Sequence, residues 1–170
     1  MIIIIEGADL VGKTTLINGL VGNCPYPVIK LRWELLGDPE IETRSMAKAT
    51  TAILDAVRPN VILDRSYFSW WAYAQPLGYN DSYMPELIGL YKPVVDTRLI
   101  LLTATAVEIE KRFRKTPDLY FSLDIIQSAN NRFPSLLSLL PKDLKSLHID
   151  TTATSAIETI QRVELFLDER

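Results

Sequence analysis

The sequence predicts an α/β fold: a parallel sheet covered by helices on both faces, in three layers. Two observations carry this. Short β-branched or leucine-rich runs alternate with stretches of helical periodicity along the 170 residues. That alternation implies right-handed crossovers and parallel pairing. The first fifteen residues also read as a strand, a glycine-bounded turn and the start of a helix.

The elements follow in order. Met1 to Glu6 is a buried strand, because Ile2, Ile3, Ile4 and Ile5 form an unbroken β-branched run. Thr15 to Leu20 begins a helix. Gly22 to Pro27 is a loop by its Gly, Asn and Pro content. Val28 to Leu31 is a short second strand, and Trp33 to Pro39 a loop. A helix fits Thr43 to Val57, with Met46, Ala49, Ile53 and Val57 on one face, and Arg58-Pro59-Asn60 ends it. Val61 to Asp64 is a third strand, Arg65 to Gln75 an aromatic-rich helix, and Met84 to Tyr91 another helix. Thr97 to Thr103 is the fourth strand. Thr105 and Glu108 have the spacing of a capping box, opening a helix to about Lys115. Phe121 to Leu140 reads as the longest helix, with Ile125, Ala129, Phe133, Leu136 and Leu140 as its apolar stripe. Ser146 to Ile149 is the fifth strand. Ser155 and Glu158 form a second capping box before the terminal helix.

Composition sets the outer bounds. A chain of this length is expected to form one domain, residues 1–170. Its 48% hydrophobic and 23% charged content suits a soluble globular chain. The net charge of −3 does not favour a wide nucleic-acid surface. The single Cys24 forbids an internal disulfide and suits a reducing compartment. No signal peptide or membrane-length apolar run is visible, so a cytoplasmic protein without membrane association is expected.

The chemistry concentrates at strand ends. Gly7-Ala8-Asp9-Leu10-Val11-Gly12-Lys13-Thr14 fits G-x-x-x-x-G-K-[ST], between a strand and a helix. Gly7 and Gly12 free the backbone to curl, so that successive N–H groups face one concavity. The helix N-terminus adds partial positive charge there. Lys13 can reach the outer phosphates of a nucleotide, and the Thr14 hydroxyl can complete a magnesium shell. With the five predicted strands, this loop predicts a three-layer P-loop NTPase fold. In such sheets ligands sit beyond the carboxyl ends of the strands. Asp64 ends the third strand on that edge, where a carboxylate can hold magnesium through water or accept a proton. The alternative is a helix cap or a partner of Arg65. Arg65 suits bidentate phosphate contact. His148, inside a strand, reads as a core or edge residue.

Asp64-Arg65-Ser66-Tyr67-Phe68-Ser69-Trp70-Trp71-Ala72-Tyr73 resembles the thymidylate kinase pattern D-R-Y-x-x-S-x-x-A-Y. Its Asp-Arg-Ser opening also resembles the acid-Arg-Ser motif of deoxynucleoside kinases. Asp9 matches the acidic position in thymidylate kinase phosphate loops. The run from Lys111 to Lys115 with Asp118 is similar to that family's basic lid, placed here at about 112–120. The third motif position is Ser66, and the family's R-E-P after the second strand is Arg32-Trp33-Glu34 here.

The resemblance implies an ATP- and magnesium-dependent kinase of a deoxynucleoside monophosphate, with dTMP or a related pyrimidine nucleotide as acceptor. The loop from Gly7 to Thr15 would hold ATP. Lys13 and Arg112, with Arg114 or Lys115, would neutralise the phosphoryl group in transfer. Thr14 and Asp64 would organise Mg2+. Asp9 would touch the acceptor's 3′-hydroxyl, and Arg65 and Arg32 its phosphate. Ser69 and Tyr73 would line the base pocket. Glu34 is the alternative base beside a 5′-hydroxyl, and a solvated helix face is the alternative for Arg112 and Arg114. A homodimer is compatible with the resemblance. Two other functions stay open: a kinase of a hydroxyl acceptor, either a deoxynucleoside or a hydroxymethylated base in DNA, and a nucleotide-binding regulatory module without turnover.

Overall fold

The computed structural model describes residues 1–23, 26–31, 44, 45, 48, 60–89 and 96–169. Five parallel strands form one sheet: β1 (Ile2–Glu6), β2 (Val28–Lys30), β3 (Val61–Asp64), β4 (Thr97–Thr103) and β5 (Lys145–Asp150), in the order β2-β3-β1-β4-β5. The register aligns Ile5 with Asp64 and Ile100, and Lys30 with Asp64. The carboxyl ends of β1, β2 and β3 therefore share one edge.

Among the described residues the helices are α1 (Lys13–Asn23), α2 (Tyr67–Ala74), α3 (Met84–Gly89), α4 (Ala106–Lys115), α5 (Leu123–Leu136) and α6 (Ala156–Asp168). Helix α1 packs on α6, while α2 and α4 pack on α5, giving a three-layer α/β fold. The sheet is the core. Ile2 to Ile5, Val61 to Leu63 and Leu99 to Leu102 are completely buried. Central strands covered on both faces have no polar side, which is why these runs are continuous rather than alternating. Each such side chain contributes roughly 1.5–3 kcal/mol by leaving water.

Several boundaries differ from the sequence reading. The second strand stops at Lys30, before Leu31. The fifth extends one residue further at each end, Lys145–Asp150. Helix α2 starts at Tyr67 instead of Arg65, because Arg65 takes φ 74° with its N–H on the Ile5 carbonyl, and Ser66 caps the helix. The helix expected over 121–140 spans only Leu123–Leu136. Pro134 supplies no N–H, and residues 137–139 close into tighter three-residue turns on Pro134, Ser135 and Leu136. Its buried stripe is Ile126, Ala129, Asn130, Phe133 and Leu136, so Ile126 replaces Ile125. The capping box at Ser155 and Glu158 forms in full. At Thr105 only half forms, since Glu108 turns to Lys111 and Arg112 instead of back to the cap. The helix expected over 43–57, the loop over 33–39 and Cys24 lie largely or wholly outside the described residues. His148 sits on the edge strand β5, exposed, with Nε2 2.8 Å from the Thr103 hydroxyl.

Candidate active site

The turn after β1 is shaped by backbone that few residues adopt. Gly7, Leu10 and Gly12 have φ of 144°, 68° and 98°. A Cβ on Gly7 would collide with the Leu102 carbonyl and the Val11 side chain, so only glycine fits there. Leu16 N–H bonds to the Gly12 carbonyl at 3.0 Å and starts α1. Val11 and Ala8 are buried beneath the loop, and the stretch from Asp9 to Leu16 faces a cavity of about 1080 Å³.

Lys13 is buried and folds back over this loop, donating to the Gly7 carbonyl at 2.9 Å and to the Ala8 carbonyl. Burial and the Arg65 charge pull its ammonium down to about 7, while Asp9, Asp64 and Glu6 pull upward. Thr14 and Thr15 line the same cavity, exposed.

Opposite the loop stands the end of β3. Asp64 is buried, lines the cavity and pairs with Lys30 at 3.3 Å. It is neither the helix cap, which is Ser66, nor the partner of Arg65. Arg65 instead pairs with Asp9, and its Nη1 donates to the Gly7 carbonyl at 3.1 Å and the Ser69 hydroxyl at 3.2 Å. The Tyr73 hydroxyl donates to Asp9 at 2.7 Å and accepts the Asp9 N–H at 2.8 Å. Burial opposes ionisation of Asp9, but Lys13, Arg65 and Tyr73 hold its carboxyl below the ordinary value. Burial, with Asp9 beside it, pushes the Tyr73 phenol up.

Behind this wall lies Glu6, which is completely buried. It accepts the Ser66 N–H and the Ser66 hydroxyl, each at 2.6 Å, and the Ser69 hydroxyl. Burial raises its carboxyl, against those hydrogen bonds and the Arg65 charge.

Arg112 braces the far side. Its Nε meets Glu108 at 2.9 Å, Nη1 donates to the Leu10 carbonyl at 2.8 Å and Nη2 to the Thr151 carbonyl at 3.0 Å. The Thr151 hydroxyl donates to the Val11 carbonyl at 2.9 Å. Helix α4, the glycine loop and the segment after β5 are thereby tied together. Lys115, Thr116, Asp118, Tyr120 and Phe121 continue this wall, and Phe121 packs 4.9 Å from the Tyr73 ring.

The structure thus gathers Lys13, Thr14, Asp9, Asp64, Arg65, Tyr73 and Arg112 around one cavity. Ser69 is fully buried behind the wall, between Arg65 and Glu6, rather than on the cavity surface. Arg114 lies off the cavity, exposed and paired with Glu110. Arg32 and Glu34 fall outside the described residues. Lys30, Thr151, Phe121 and Glu6 escape the sequence reading. Glu6 carries the same signal as Asp64, an acid closing an apolar strand, and Lys30 stands beside Asp64 once the strands are paired.

A five-stranded parallel sheet with a glycine-rich phosphate loop after β1 defines the fold of the P-loop kinases. Solved structures of that fold cover nearly the whole chain. The YorR protein of Bacillus subtilis, in complex with phosphorylated GDP, superposes with a TM-score of 0.71 at 22% identity, over 99% of this chain and 96% of that one. Deoxyadenosine kinase from M. mycoides, with dCMP and a flexible dCDP bound, gives 0.71 at 13% identity, over 99% of both chains. Thymidylate kinase from Candida albicans gives 0.66 at 19% identity, over 98% and 90%. No protein-family model and no curated protein matches the sequence. At these identities the likeness is one of fold.

Proposed function

We propose that the chain is a magnesium-dependent phosphotransferase that moves the γ-phosphate of ATP to a nucleoside monophosphate, with dTMP or a related deoxypyrimidine nucleotide as acceptor. One observation carries this reading: the glycine loop and Lys13 share a single cavity with Asp64, Arg65, Arg112 and Lys115. Its volume, about 1080 Å³, has room for two nucleotides.

In this reading an acceptor phosphate oxygen attacks the γ-phosphorus in line. The bond to the β-bridging oxygen breaks, ADP leaves, and the acceptor becomes a diphosphate. Lys13 exchanges the Gly7 and Ala8 carbonyls for phosphate oxygens. Arg65 faces the acceptor phosphate. Arg112 and Lys115, at the root of a lid over 112–120, face the charge in transfer, and the Tyr73 and Phe121 rings flank the acceptor base. The Tyr73 hydroxyl is spent on Asp9 and its ring packs against Phe121 and Arg65, so the ring's cavity-facing edge is what remains for that contact.

The donor set fits magnesium. Thr14 and Asp64 offer a hydroxyl and a carboxylate to the cavity. Among the described residues, no group of three or more His, Cys, Asp or Glu could cage a metal alone. Mg2+ needs only one or two protein oxygens beside phosphates and water, so Thr14 and Asp64 would hold it, and it would supply neutralising positive charge to the phosphates.

A hydroxyl acceptor is the second reading. What favours it is that Asp9, Gly7 and Ser69 already engage the Arg65 guanidinium, while the Asp64 carboxylate is free to take a proton once Lys30 moves. A radiolabelled-ATP screen over nucleosides, monophosphates and hydroxymethylated oligonucleotides separates the readings. Label on monophosphates supports the first and label on nucleosides or DNA the second. Label on none of them rejects both.

A further inference from the structure

Glu6 is completely buried, does not line the cavity and takes no part in the chemistry above. Its surroundings are nevertheless directional. The Phe68 N–H can only donate, and it donates to the Ser66 hydroxyl at 3.2 Å. The Arg65 guanidinium can only donate, and Nη1 donates to the Ser69 hydroxyl at 3.2 Å. Each hydroxyl has one proton left, and each places it on Glu6. The Ser66 N–H adds a third bond to the same carboxylate. Two chains thus run in one direction, from the first turn of α2 and from Arg65, and both end on Glu6.

We propose that Glu6 is a positioning residue for the acceptor side of the cavity, fixing Arg65 through Ser69 and the start of α2 through Ser66. The inference rests on the kinase reading only for its kinetic consequence. The physical reason lies in Arg65. Its backbone sits at φ 74°, where a residue with a Cβ is strained, so the turn needs outside support. Support comes from β1 twice: the Ile5 carbonyl takes the Arg65 N–H at 3.0 Å, and Glu6 takes Ser66 and Ser69. The oriented guanidinium then holds Asp9 and the Gly7 carbonyl. A carboxylate is required, because only an acceptor on both oxygens can end both chains.

The test uses the full chain and the variants Glu6→Gln, Ser69→Ala and their combination. The first arm follows the Arg65 Nε–H and Ser66 amide signals by NMR without any ligand. Glu6→Gln is expected to move both signals. Ser69→Ala moves that of Arg65 and leaves the Ser66 amide in place. Adding Glu6→Gln to Ser69→Ala moves the Arg65 signal no further. The second arm measures KM for dTMP and Kd for mant-ATP. Loss of a charge-assisted contact is expected to raise the KM at least ~10-fold in Glu6→Gln, with Kd within about 2-fold. An unmoved Arg65 signal in both single variants overturns the proposal, as do equal losses in KM and Kd. If Glu6→Gln fails to fold, Ser69→Ala alone decides the Arg65 branch. If the unmodified chain phosphorylates nothing, the kinase reading falls and the NMR arm still decides the role of Glu6.

Discussion

At the scale of single residues, Lys13 gathers the most physics. Its charge is buried against Arg65 and held near a neutral range, about 7. Between about 7 and the ordinary 10.5 the unfolded chain keeps a proton that the folded chain has lost. Stability therefore rises with pH across that window from this residue, and the Lys13→Met variant should lack that slope in urea titrations. A polyphosphate beside the amine restores the charged form. Binding of Mg-ATP near pH 8 should then take up protons, read by calorimetry in two buffers of different ionisation enthalpy. Equal apparent enthalpies in the two would reject this. Lys13→Ala is expected to slow phosphoryl transfer by at least ~100-fold with the fold intact, the size of a lost transition-state charge contact. Near-normal turnover would remove the loop from the mechanism.

At the scale of elements, α5 is the prop under the cavity wall that carries Tyr73. It packs on α2, the helix that presents Trp70 and Tyr73 to the cavity. Phe133, in its last turn, is completely buried. Truncating it to Ala should cost about 3–5 kcal/mol by the cavity it leaves. Denaturant midpoints measure this, and a loss under about 1 kcal/mol would mean the helix pair repacks freely. Arg112 joins three elements that are distant in sequence. Arg112→Lys keeps the charge but loses the fork that spans Leu10 and Thr151. Its turnover should fall well below that of the parent even though a cation remains. Parental activity would mean that charge alone matters there.

At the scale of the whole molecule, the cavity and a buried arginine tie occupy opposite ends of the sheet. The carboxyl ends of β1 and β3 carry the cavity. At the start of β4, Arg98 is buried and donates to the Phe166 and Glu169 carbonyls, tying down the end of α6. Arg98→Leu strands those carbonyls and should cost about 2–4 kcal/mol in denaturant unfolding. Mant-ATP affinity should change little. A variant that loses nucleotide affinity in proportion to stability would show that the two ends are coupled.

The sequence by itself determined the strands, their parallel pairing and the glycine loop. Those depend on local rules: β-branched runs bury on both faces, and only glycine fits at position 7, where a Cβ would collide with the Leu102 carbonyl. It also marked Asp64, Arg65 and Lys13 as sharing one edge, since strand polarity places them there. What only the tertiary structure decided is how those groups are spent. Asp9 and Arg65 meet across 56 positions, the Tyr73 hydroxyl closes on Asp9, Ser69 turns inward to Glu6, and Arg114 faces solvent while Arg112 grips Leu10 and Thr151. Partner choice depends on distances between segments far apart in the chain, and no local pattern encodes those distances.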